Sequence, residues 1–233
     1  MSQNPFNAPQ STSPPADFSK GQQYTYRPLG VLSILIMLFV VATCLAHLLI
    51  STVETIGFLM YPNFTDPNAE VGSQAEMNLI YAIGGAAILN VIVYLVAVIA
   101  GCMFSYRSNA NLRSFNAKGL EFTPGWSGGW WFVPIASLVK PFNVISEIYR
   151  HSTPSSKTWH LGLWWAFWII GNILGQIEFR LSRVAVDLGG GGVALSWAST
   201  LMFCFAGALW ISITRTISKS QAQTAEPSVH PNF

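Results

Sequence analysis

A chain of 233 residues that is 51% apolar and only 9% charged, with a mean hydropathy of +0.41, lacks the polar cover of a soluble domain. Such domains carry roughly 25% charged residues. The net charge of +2 is too small to imply a nucleic-acid partner, and no polar block of ordinary domain size, about 100 residues, is present. Cys44, Cys102 and Cys204 each lie in a different apolar run, which gives neither a disulfide framework nor a metal signature.

Residues 1–27 are rich in Pro, Gln, Asn and Ser and show no apolar periodicity. Such a segment cannot bury enough surface to offset its chain entropy, so a disordered tail is expected. It is also too polar and long for the n-region of a cleaved leader. Four charge-free apolar runs follow, at 29–52, 79–104, 159–177 and 193–213. Each approaches or exceeds the span of a hydrocarbon core about 30 Å thick. Each must be helical, because a lipid-exposed segment can satisfy its own backbone only as a helix. The fold class expected is therefore all-α, a bundle of four transmembrane helices over 28–217. A second disordered tail is expected over 218–233.

Small-residue ridges at Ala82/Ala86/Asn90, Gly171/Gly175 and Ala194/Ala198 suit close helix approach. They could close the bundle internally or form a face for a homodimer.

Lys and Arg placement sets the orientation. Lys20 and Arg27 lie before the first run, and the loop 53–78 has no basic residue against four acids. Segment 105–158 holds Arg107, Arg113, Lys118, Lys140, Arg150 and Lys157; Arg180 and Arg183 follow the third run, and Arg215 and Lys219 the fourth. With both termini inside, ten positive residues are cytoplasmic and two are not. A fifth span at 125–139 would reduce that split to seven against five, so this stretch is expected either to lie on the cytoplasmic interface or to dip into it as a re-entrant segment.

That stretch belongs to the most distinctive part of the chain, 122–151. Three tryptophans (Trp126, Trp130, Trp131) and three prolines (Pro124, Pro134, Pro141) fall within eighteen residues. Tryptophan is enriched at membrane–water interfaces, which suits an interfacial segment. After Pro141 the pattern becomes helical: Phe142, Ile145, Ile148 and Tyr149 on one side, Asn143, Glu147, Arg150 and His151 on the other. A short amphipathic helix is expected, lying in the interface plane with its apolar face in the acyl boundary.

No nucleophile signature or phosphate-binding glycine loop occurs. Glu147 and His151 are four apart and would share a helical face, and His160 is the third acid–base candidate. Without a third ligand at a recognisable spacing the pair stays a solvated face. No catalytic, cofactor or metal site is expected, and the protein is expected not to be an enzyme. No Asp, Glu, Lys or Arg lies inside the four runs, where an intramembrane charge would mark a transport path. Asn90 and Asn172 are the polar residues near span centres.

The order of marks in the middle of the chain resembles one family. Tyr106-Arg107, Asn111-Leu112, Gly119-Leu120 and Phe122-x-Pro-Gly-Trp come first. Gly129-Trp-Trp-Phe-Val-Pro134, Leu138, Pro141, Glu147-Ile148 and Trp164-Trp165 follow. Together they resemble the domain of unknown function 4328 family of bacterial multi-pass membrane proteins, over about 75–215. Ser137 stands where that family often has Asn, and Tyr149 where it often has Trp. The resemblance implies topology and a bacterial cytoplasmic membrane, not a chemistry.

The expected role is that of a membrane scaffold or regulatory subunit. Arg107, Asn111, Arg113, Lys118, Trp126, Trp130, Trp131, Lys140, Glu147 and Arg150 are the candidates for meeting anionic headgroups of the bilayer or a membrane-protein partner. The alternative is a small transporter or channel subunit with a polar path near Asn90 and Asn172.

Overall fold

The computed structural model describes residues 24–61, 64, 70–154, 157–183 and 189–226. Among these, every regular element is helical. The order is α1 Gly30–Met60, α2 Gln74–Ser114, α3 Pro124–Gly129, α4 Lys140–Ser152, α5 Trp159–Arg183 and α6 Gly190–Ala225. Single 3₁₀ turns at Trp130–Phe132 and Ala136–Leu138 separate α3 from α4.

The four apolar runs become the four long helices. α1, α2 and α6 are long and apolar enough to cross a membrane. In their most apolar stretches only 11%, 17% and 28% of residues are buried inside the protein. Helices this apolar with so little cover are suited to hydrocarbon rather than water. α5, with 25 residues, is about 37 Å long. Its four tryptophans, His160, Asn172 and Gln176 make it less apolar, so three helices rather than four meet both criteria.

Local chemistry fixes the ends of α2. At its start the Ser73 hydroxyl accepts from the Glu76 N–H at 3.2 Å, and Glu76 Oε2 accepts from the Gly72 N–H at 2.8 Å. That is a capping box displaced by one residue at its return bond. At its end Asn116 takes a left-handed φ of 58°, which asparagine tolerates. The Asn116 and Ala117 N–H groups then close on the Arg113 and Leu112 carbonyls, both at 3.0 Å, a Schellman arrangement.

The long helices stand in the order α2, α1, α6, α5, each packed on the next, while α2 and α5 stay largely apart. Glycine permits the closest approach: a Cβ on Gly207 of α6 would lie 2.7 Å from Val40 Cγ1 of α1. A Cβ on Gly171 would meet Met202 Cβ of α6 at 3.3 Å, whereas Gly175 faces open space. Ala82 and Ala194 are exposed, so their ridges are only partly used within the protein.

Two differences from the sequence expectation concern the ends. α6 runs on to Ala225, through the stretch expected to be disordered, with Ile217 and Gln221 buried. Residues 24–27 also pack, Tyr26 stacking on Phe115 with ring centres 5.5 Å apart. Residues 1–23 and 227–233 lie outside the described residues.

A third difference concerns α4. Its amphipathic pattern is present, but Val144, Ile145, Ile148 and Tyr149 are buried in a cluster with Phe104, Ile213 and Ile217. The apolar face is therefore covered by α2 and α6 instead of acyl chains. Both of those helices extend beyond their apolar runs and offer α4 an apolar seat.

Candidate functional site at the end carrying both termini

Beyond the apolar stretches, the ends of α2 and α6 meet α4 and form a helical cap. Asn111 is its central knot. Its Oδ1 accepts from the Arg27 N–H at 3.0 Å, and its Nδ2 donates to the Arg27 carbonyl and to Gln221 Oε1, both at 2.9 Å. Gln221 Nε2 donates onward to the Ser108 carbonyl at 3.1 Å and the Ser152 hydroxyl at 2.9 Å. One amide pair thus ties the segment before α1 to α2, α4 and α6.

A second set of bonds holds the loop between α2 and α3. Asn109 Nδ2 and Arg113 Nη2 both donate to the Phe122 carbonyl at 3.0 Å. The Glu147 carboxylate accepts from the Glu121 N–H at 2.6 Å and the Phe122 N–H at 3.3 Å. Asn111, Arg113 and Glu147, grouped by sequence with the surface candidates, are engaged in internal bonds. His151 Nδ1 lies 2.9 Å from the Glu147 carbonyl, and the His160 ring sits edge-on against Tyr149. Among the described residues, no three His, Cys, Asp or Glu side chains gather as a metal site.

The remaining candidates lie around the aromatic-proline segment. Lys118 and Arg150 are exposed, and Arg107 and Lys140 half-buried. The Lys140 ammonium stands over two rings, 5.4 Å from the centre of Phe122 and 5.6 Å from that of Trp130. Trp130 in turn packs on the half-exposed Trp126, ring centres 4.6 Å apart. Beyond them the chain turns at Ile135, with φ 65° and ψ −51°. A β-branched residue rarely adopts that backbone. Its side chain is 84% exposed, and Phe132, Leu138 and Val139 beside it are also exposed.

Except for Arg27 and Gln221, this constellation lies within 68–219, the stretch that matches the family model described as Domain of unknown function (DUF4328). The chain belongs to that family. Neither the curated proteins nor the solved structures return a match. The family stretch takes in α2 to most of α6, so α1 lies outside it and packs on helices within it.

Trp131 separates from its two neighbours and turns inward. Its ring lies 6.1 to 6.5 Å from those of Trp165, Trp168 and Trp210, two of the contacts edge-on. Trp164 stacks on Trp210 at 4.7 Å, and Trp165 on Trp168 at 4.8 Å. The Trp165 indole donates to the Leu138 carbonyl at 3.0 Å, fastening the aromatic-proline segment to α5. α3 lies so close to α2 that a Cβ on Gly128 would come within 3.2 Å of the Cys102 carbonyl oxygen. The segment therefore fills the gap between α2 and α5 at this end.

Sequence reasoning missed Ser108, Asn109 and Gln221 as parts of the cap. The signal available was the polar run Ser108-Asn109-Ala110-Asn111 directly after an apolar span. It also missed a polar cluster at the opposite end of the bundle. There the Ser51 hydroxyl bridges Ser196 at 3.0 Å and Thr200 at 2.9 Å, and the Glu54 and Glu178 carboxyls both face Ser196. Asn90 is buried with its Oδ1 unpartnered, while Asn172 donates to the Trp168 carbonyl one turn back on its own helix.

Proposed function

We propose that the chain is a non-enzymatic membrane scaffold or regulatory subunit with four spans, set in a bacterial cytoplasmic membrane with both termini inside. Its cap meets anionic headgroups on the cytoplasmic face. Arg107, Lys118, Lys140 and Arg150 supply the charge, each worth about 1 kcal/mol near such a surface. Trp126 and Trp130 lie at the interface, and the Phe132–Val139 tip enters the acyl boundary.

The observation that carries this reading is Ile135. The chain holds a β-branched residue at positive φ with its side chain 84% exposed, beside three further exposed apolar residues. In water that tip would add strain and uncovered apolar surface. In an acyl boundary its burial offsets both. The ten-to-two division of basic residues supports the cytoplasmic assignment.

The test is reconstitution of the full-length chain from mixed phosphatidylcholine and phosphatidylglycerol, followed by analysis of the lipid retained. Anionic lipid should be enriched around the wild type and less so around K118E/R150E. Equal enrichment would refute headgroup binding. A second reading, a small transporter or channel subunit, draws on the unpartnered Asn90 amide. Asn172 is engaged with its own helix, which weighs against a path shared by the two. Solute or ion flux in proteoliposomes would favour it.

A further inference from the structure

Between the four long helices lies a cavity of about 100 Å³, lined almost wholly by apolar and aromatic groups, among them Cys44, Tyr94, Gly101, Trp131, Trp168 and Trp210. It opens to the surface. α1, α6 and α5 pack in series around it, whereas α2 and α5 stay largely apart and meet through the Tyr94 hydroxyl and the Trp168 side chain. Apart from Trp131, its lining falls within the apolar runs 29–52, 79–104, 159–177 and 193–213, and α2 and α5 carry exposed Leu95, Ile99 and Ile170. In a bilayer this lining is at the depth of hydrocarbon, not of water. An engineered apolar cavity of about 150 Å³ stays dry and takes benzene. A void somewhat smaller and open on one side suits a few carbons of an unbranched chain.

Two features near the end carrying the termini distinguish it from a packing defect. Trp131, which lines the cavity, has its indole nitrogen buried with no hydrogen-bond partner, and so does its neighbour Trp130. Buried indole N–H groups normally find an acceptor. The ammonium of Lys140 stands over Trp130, held by ring faces. Trp131 at the cavity, Trp130 beside it in the chain and Lys140 over the Trp130 ring thus link an apolar slot to two unpartnered donors and a cation, the groups that would meet a phospholipid's chain, ester oxygens and phosphate.

We propose that this cavity is a specific site for one acyl chain of an anionic diacyl phospholipid, whose ester oxygens accept from the Trp130 and Trp131 indoles and whose phosphate lies beneath Lys140. The proposal rests on the headgroup reading above and adds to it a defined site between the helices. α1 contributes one wall through Cys44, so the site joins the family stretch to a helix outside it.

The test uses the full-length protein in phosphatidylcholine nanodiscs titrated with phosphatidylglycerol carrying brominated acyl chains, which quench indole fluorescence on contact. The wild type should show a saturable component at low mole fraction. Gly101→Leu should abolish it. Gly101 lines the cavity, and a Cβ there meets only Trp210 at 3.8 Å, so the larger side chain has room to occupy the slot. Trp131→Phe removes the donor while leaving a smaller aromatic ring in the wall, so its midpoint should rise by at least about fivefold, the worth of one ordinary hydrogen bond.

K118E/R150E, at positions that do not line the cavity, should lower bulk enrichment and leave the saturable component in place. Saturation without enrichment would mark failure of the surface reading alone, and enrichment without saturation failure of the cavity alone. Quenching that grows linearly with mole fraction, or persists unchanged in Gly101→Leu with its helicity and melting temperature retained, would overturn the proposal. So would displacement of the brominated lipid by a polyprenyl phosphate but not by unlabelled phosphatidylglycerol.

Discussion

Asn111 shows how much one amide can organise when it is buried. It makes three hydrogen bonds within 3.0 Å and has no exposed surface. Replacing it with alanine would strand the Arg27 N–H and carbonyl and Gln221 Oε1 together. Stranded buried polar groups cost about 1–3 kcal/mol each, more than the net worth of the bonds themselves. Asn111→Ala is expected to lower stability by about 2–4 kcal/mol, read as a fall in the melting temperature of the detergent-solubilised protein. Lys118→Ala, which removes an exposed ammonium, should leave it within about 0.5 kcal/mol. In the sequence Asn111 and Lys118 are both polar residues in a basic segment. Their difference comes from the helix partner that only one of them has.

At the scale of elements, α4 and the end of α6 carry the argument. The spacing of Phe142, Ile145, Ile148 and Tyr149 makes α4 amphipathic whatever surrounds it, and that much was legible. Which medium covers the apolar side depends on neighbours. α2 and α6 continue past their apolar runs and pack on α4, so Ile145 and Ile148 meet Phe104, Ile213 and Ile217. The last two turns of α6 have too few apolar residues to be read as a packed helix. Gln221 gains its burial by pairing with Asn111, 110 residues earlier in the chain. Truncation after Ser218 should therefore loosen the cap, although it removes a segment that composition marks as a tail. Limited proteolysis of the 115–123 loop should become faster in the truncated protein, while deletion of 227–233 alone should change nothing.

At the scale of the whole molecule, the bundle is an open arc, with α2 and α5 flanking its unclosed side and the aromatic-proline segment seated in that gap. Close contact of α6 with α1 sets the middle of the arc. Gly207→Val would force a side chain onto Val40, and overpacking of this kind costs about 1–3 kcal/mol. Gly175→Ala meets nothing within 4 Å and should be neutral or slightly stabilising. Melting temperatures of the two variants in the same detergent would check the contrast, which glycine spacing cannot supply because Gly175 sits in a small-residue ridge and Gly207 in none.

The sequence by itself determined the all-helical class, the apolar runs that become the long helices, the family, and the segment where tryptophan and proline concentrate. These follow from composition, run length and residue order, which act locally along the chain. Only the tertiary structure decided that Trp131 turns inward while Trp126 stays out, that α4 packs on protein, that Asn111 and Gln221 are partners, and that a cavity remains between α2 and α5. Those outcomes depend on which helix faces which, and that is fixed by contacts between residues distant in sequence.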